Sequence, residues 1–205
     1  MMPTRRLLLA TFAMLSEVGL PAMRARADDD LRTADRAVGP ADAKVVVQEY
    51  FSLTCTHCAG FQKETFPKVK SELIDTGKIR YVWRDYPLDQ VALYAAMISR
   101  ALPAERYEPF VGALLTTQDR WAFTRTANPM EELLKLATLA GMARDTFDKT
   151  VRDDGLKQFV LSEQSEGEKK YGVNSTPTFV INDKPLPGAV GFDAFQKAVE
   201  AATAS

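Results

Sequence analysis

The sequence predicts an α/β fold assembled as βαβ, a block of helices, then ββα. Three observations carry this reading. Two β-branched and aromatic runs, at 45–51 and 79–86, flank a helical pattern. From Leu88 to about Tyr171 no stretch reads as a strand. Strand signals then return at 178–181 and near 186–190, ahead of a last helical stretch.

Residues 28–43 are polar and punctuated by Gly39-Pro40, a lead-in with room for one short strand. Val45-Val46-Val47-Gln48-Glu49-Tyr50-Phe51 suits a buried strand. Thr56 to about Ile74 reads as one helix, with Phe61, Val69 and Leu73 among Lys and Glu and Gly77 beyond its end. Ile79 to Tyr86 is the second strand, closed by Pro87. The stretch 91–102 is apolar and rich in Ala and Leu. Asn128-Pro129 caps a helix with Glu131 and Glu132 in its first turn, and Gly141 stops it. Asp154 to Tyr171 reads as a polar helix whose Glu163, Glu166, Glu168, Lys169 and Lys170 form a solvated face. Thr178-Phe179-Val180-Ile181, the turn Asn182-Asp183-Lys184-Pro185 and the run 186–190 form a hairpin. A helix from Phe192 to about Ala202, with Phe195 and Val199 on one face, closes the chain.

Composition excludes several function classes. The 205 residues hold two Cys and one His, all within Cys55-Thr56-His57-Cys58. A structural zinc site needs four ligands, and here all candidates share one tetrapeptide, so no metal is expected. A c-type haem needs His directly after the second Cys, where Ala59 stands. Formal net charge is −1, which gives no sign of a nucleic-acid partner. Met1 to Ala27 reads as a signal peptide. Arg5 and Arg6 start it, Leu7 to Leu15 is its apolar stretch, and Ala25-Arg26-Ala27 is its cleavage site. Thr4-Arg5-Arg6-Leu7-Leu8-Leu9 also resembles a twin-arginine motif, so Sec and Tat export both stay open. Removing residues 1–27 leaves 178 and takes away four Arg and one Glu, moving the charge to −4. Export to a periplasm places the Cys pair where a disulfide persists.

A CxxC that opens a helix sets its Cα atoms about one turn apart, within reach of a disulfide. Cys55 then lies at the helix N-terminus, where free N–H groups and the positive end of the dipole favour a thiolate. His57 stands to add a donor or a positive charge beside the sulfur.

With these features the chain resembles the DsbA family of thioredoxin-fold thiol–disulfide oxidoreductases. Cys55-Thr56-His57-Cys58 matches its C-x-H-C form, with Thr56 where the best-known member form has Pro. Glu49 stands six residues before Cys55, where the family has a buried acid. Ser175-Thr176-Pro177-Thr178-Phe179 is similar to the family's cis-proline loop. The resemblance implies a thioredoxin-like fold over 28–86 and 155–205, with a helical insertion at 87–154. It implies Cys55 as nucleophile, Cys58 as resolving thiol, His57 as thiolate stabiliser and Glu49 as proton relay. A cis Pro177 would leave the Thr176 backbone free to pair with an extended substrate. The function expected is an exported, monomeric disulfide oxidase with no cofactor beyond Cys55–Cys58, acting on thiols of unfolded exported proteins. A membrane partner like DsbB would reoxidise it. The nearest alternative is an isomerase or reductant of the same fold. Thr176 stands where family oxidases commonly carry Val and isomerases often Thr, yet 28–43 is too short for an isomerase's dimerisation domain. A Cu(I)-binding thiol protein is the alternative from another class, although Met130 and Met142 form no Met cluster.

Overall fold

The structure is a computed structural model that describes residues 30–125 and 127–204. The expected signal peptide at 1–27 lies outside them. Strands β1 (Arg36–Val38), β2 (Val45–Phe51), β3 (Ile79–Asp85), β4 (Thr178–Ile181) and β5 (Lys184–Pro187) form one sheet, ordered β1-β3-β2-β4-β5. Only β2 and β3 pair in parallel; the other neighbours are antiparallel. The central strands β2, β3 and β4 are buried along most of their length, as an apolar run covered on both faces requires.

The crossover from β2 to β3 is not the single helix expected over 56–74. It splits into α1 (Thr56–Glu64), α2 (Phe66–Val69) and a π-helical turn, Lys70–Ile74. Pro67 is the cause: its ring and missing N–H cannot continue a helix through Thr65, which moves to φ −111°. Helices α3 (Gln90–Ala101), α4 (Ala104–Thr116), α5 (Gln118–Trp121), α6 (Pro129–Leu139) and α7 (Arg144–Thr150) follow β3 without an intervening strand. Helix α8 (Asp154–Tyr171) returns to the sheet and ends on Gly172, whose φ of +67° suits a left-handed cap. The hairpin is tighter than the sequence suggested. Asn182 and Asp183, both at positive φ, make the turn, while Lys184 and Pro185 already belong to β5. Helix α9 (Phe192–Thr203) lies with α1 and α2 on one face, where Phe61 packs at a tilt on Phe66 and Phe179, and Phe179 meets Phe195 edge-on.

One expectation on α8 is overturned. Glu163 is not part of a solvated face; it is buried and ion-paired with Arg100 and Arg84. Arg100 is wholly buried in an otherwise apolar helix and needs a counter-charge within reach, which α8 supplies.

Candidate active site

Strand β2 leads straight into the site. Past Phe51, the buried loop 52–54 turns the chain into α1, and Cys55 is the helix N-cap. The Cys55 N–H bonds to the Ser52 carbonyl at 3.1 Å. Thr54 Oγ1 donates to Asp89 Oδ2 at 2.7 Å, and Asp89 Oδ1 caps α3 through the Ala92 N–H at 2.7 Å. Gln118 Nε2 donates to the carbonyls of Leu53 (2.8 Å) and Cys55 (3.0 Å). The loop is therefore held from the helical block as well as from the sheet.

Cys55 and Cys58 are both free thiols here, 7% and 0% exposed. Their surroundings push them apart. The Cys55 thiol is lowered from its ordinary 9.0 to about 5. The strongest pull is a hydrogen bond from Cys58; a Thr176 bond and the N–H groups of Cys58 and His57 add to it, and together they outweigh burial. Cys58 is raised well above the ordinary thiol range, chiefly by burial, then by Cys55 and the charge of Glu49. Proton and charge are thus sorted: the sulfur nearer solvent ionises and the deeper one keeps its proton.

Thr176 and Pro177, joined by a cis peptide bond, face this pair. As a thiol, Cys55 donates to the Thr176 carbonyl at 3.3 Å, and the buried Thr176 hydroxyl has no partner. As a thiolate Cys55 no longer donates, and the Thr176 hydroxyl is positioned to donate to it. Glu49 is buried on β2 and accepts a 2.8 Å bond from Tyr81 Oη. Burial pushes its carboxyl up from 4.5 to about 7, the Tyr81 bond opposes this, and Cys55 adds to it.

The structure thus brings Cys55, Cys58, Thr176, Pro177 and Glu49 to one place. Thr56 and His57 differ: both are exposed, lining a shallow groove of about 300 Å³ with Gly60, Glu64 and Ala189. What reaches the sulfur from His57 is its backbone N–H. Sequence reasoning missed Gln118, Asp89 and Tyr81. Asp89 carried a signal, as an acid just ahead of an apolar helix. Gln118 and Tyr81 carried none, because their partners lie 63 and 32 positions away.

Comparison with known proteins places the fold in a known family. A family model described as Thioredoxin matches residues 32–201. A Rickettsia bellii protein named as a protein-disulfide oxidoreductase is 32% identical over 150 residues, covering 72% of this chain and 57% of that protein. A Rickettsia conorii relative of similar name is 29% identical and is covered to 60%, so the chain spans less than two thirds of these relatives. The crystal structure of alpha-DsbA1 from Wolbachia pipientis is similar at 29% identity and TM-score 0.76, covering 83% of this chain and 91% of that one. BdbD from Bacillus subtilis shares the fold, with TM-score 0.72 at 21% identity over 83% of this chain and 94% of that one. With the match running from the lead-in to the last helix, this chain belongs to the thioredoxin family, and its structural likeness within it is to DsbA proteins.

Proposed function

We infer that the chain is a protein dithiol–disulfide oxidoreductase, and that it works as an oxidase on exported proteins. One observation carries this: the opposite displacement of two thiols one helical turn apart. At neutral pH a thiol near 5 is almost wholly ionised, which stabilises the dithiol by about 3 kcal/mol over one near 9. For a two-electron couple that is about 60 mV towards a stronger oxidant.

In the oxidised protein, a substrate thiolate attacks Cys55 Sγ. The Cys55–Cys58 bond breaks, a substrate–Cys55 disulfide forms, and Cys58 leaves with an electron pair. Its high proton affinity draws a proton, and the protonated Glu49 carboxyl is the buried acid beside it. A second substrate thiolate then attacks the substrate sulfur of the mixed disulfide, and Cys55 departs as a stable thiolate. The substrate gains a disulfide and the protein two electrons, with no cofactor beyond the Cys pair. The Thr176 backbone at the cis bond, next to the exposed Ser175, would offer an extended substrate main-chain partners. A periplasmic setting, a monomeric state and a DsbB-like membrane protein that removes the electrons complete the reading.

Cys58→Ala should accumulate mixed disulfides through Cys55 with thiol-bearing exported proteins. A variant that traps none while its Cys55 stays reactive would sink the transfer reading. Thr176 favours the isomerase as the competing function. Insulin reduction and refolding of scrambled ribonuclease, run beside oxidation of a reduced substrate, should show oxidation as the fastest of the three.

A further inference from the structure

The structure assigns Gln118, a residue of the helical block, as a positioning residue for the nucleophile Cys55. This rests on the exchange reading above and deepens it by naming what sets the thiol's reactivity from outside the thioredoxin-like sheet. Gln118 begins the four-residue helix α5 and is 5% exposed. Its amide nitrogen spans two carbonyls, Leu53 at 2.8 Å and Cys55 at 3.0 Å, on either side of Thr54. Two donors on one nitrogen thereby fix two successive turns of the loop. A buried amide is costly unless its hydrogen bonds are made, so the pair of contacts is not incidental.

The Cys55 carbonyl is the useful end. It also accepts the first bond of α1, from the Ala59 N–H at 3.1 Å. Its orientation therefore defines the Cys55–Thr56 peptide plane and the start of the helix. The N–H groups of His57 and Cys58, which aim at the Cys55 sulfur, belong to the next two peptides of the turn that this plane begins. Gln118 never touches the sulfur; it holds the first peptide of the turn that carries the sulfur's donors. It also neutralises the negative end of the carbonyl on the residue that must carry the charge. The second tie, Thr54 to Asp89, leaves the same loop for the start of α3. Two separate helices of the block thus grip residues 53–55, and of these two ties the one from Gln118 reaches Cys55 itself.

Loss of both donors should destabilise the thiolate more than the disulfide, since the disulfide carries no charge to solvate. Gln118→Met keeps the length of the side chain and removes the donors. We expect the Cys55 pKa to rise by about half to one unit, and the glutathione equilibrium to shift about three- to tenfold away from oxidising strength. Gln118→Glu keeps the size and, while protonated, offers one donor instead of two; it should fall between wild type and Gln118→Met. The readouts are the ultraviolet titration of the Cys55 thiolate and the glutathione equilibrium, with thermal unfolding alongside. Leu156→Ala, a core truncation in α8, which packs on α3, β3 and the lead-in, serves as a control that lowers stability. A purely structural role would make Gln118→Met behave like that control: a lower Tm, with pKa and equilibrium unchanged. That result overturns the assignment. Should Gln118→Met fail to fold, Gln118→Glu decides alone, because equality with wild type in both redox readouts overturns it as well. Neither result bears on mixed-disulfide trapping by Cys58→Ala, which tests the exchange reading itself.

Discussion

Two sulfurs on one helical turn have opposite acidities because one meets donors and the other meets an apolar wall with an acid behind it. Glu49 is the residue that links them, and its behaviour can be tested in two ways. Its carboxyl sits near 7 in the fold against 4.5 ordinarily. A raised carboxyl favours the folded state only while protonated. Its contribution is therefore fully present below about 4.5 and is lost as pH rises through about 7. Above that, the buried charge costs about 3 kcal/mol. Glu49→Gln should remove this term, so urea unfolding of the dithiol form should depend less on pH across that window and show greater stability above it. The same variant should slow substrate oxidation by at least about tenfold, since Gln cannot hand a proton to Cys58. A variant that matches wild type in rate at every pH would exclude the relay. At this scale the sequence was informative where chemistry is rare. Two Cys and one His leave few places for a site, and Glu49 drew attention only through the family resemblance, by its place six residues before Cys55. Gln118 was invisible, because one Gln among polar loop residues shows its role only once its two carbonyl partners are folded beneath it.

Among elements, α8 and β2 meet in a close approach of a glycine to a buried ring. A Cβ at Gly167 would come within 2.8 Å of Tyr50 Cδ1 and 2.9 Å of its Cζ. Tyr50 is 1% exposed, so its ring has nowhere to go. Gly167→Ala gains about 1 kcal/mol of helix propensity but overpacks a buried ring at about 1–3 kcal/mol. A net loss is expected, seen as a lowered Tm. Truncating Tyr50 to Ala in the same chain should abolish that loss, leaving Ala at 167 neutral or favourable. An unchanged or raised Tm for Gly167→Ala alone would show that α8 can shift away from the sheet. The elements most legible beforehand were β2, β3 and β4, whose β-branched runs have no other good use. The break at Thr65 was missed, although Pro67 disfavours a continuous helix, because the apolar spacing on both sides of it suggested one element. Helix α4 was obscured by the same residue type: Pro109 lies inside it and reads as a breaker, yet packing of Phe110, Val111 and Leu114 carries the helix through.

At the scale of the whole molecule, one buried guanidinium joins parts of the chain that the sequence keeps far apart. Arg100 of α3 pairs with Asp85 at the end of β3 and with Glu163 of α8, and its Nη1 reaches the carbonyls of Arg32 and Ala34 at 3.3 Å each. Glu163 also accepts from the Asp85 N–H at 3.2 Å and from Arg84 at 3.1 Å. The helical block, the sheet and the lead-in therefore share a single electrostatic knot. Little of it was readable: Arg100 stands unremarked in an Ala- and Leu-rich stretch, and nothing local says that its partner is 63 residues on. Such a network has modest net worth when whole and a large cost when broken, because two desolvated carboxylates remain. Arg100→Leu should lose about 3–5 kcal/mol at pH 8. Burial, with Asp85 next in weight, already lifts the Glu163 carboxyl to about 7, and removing the cation lifts it further. The freed Glu163 carboxyl can take up a proton as pH falls, so the loss should shrink towards pH 5. Stability in this variant then drops as pH rises through that raised value, where wild type keeps its cation. Urea midpoints for both proteins at the two pH values give the comparison. A loss below about 1 kcal/mol at both would mean the block is held by apolar packing alone, and a larger loss of equal size at both would rule out carboxyl protonation as its relief. A companion variant with Arg100, Asp85 and Glu163 all replaced by apolar residues of similar volume should recover most of the stability, since it leaves no charge stranded.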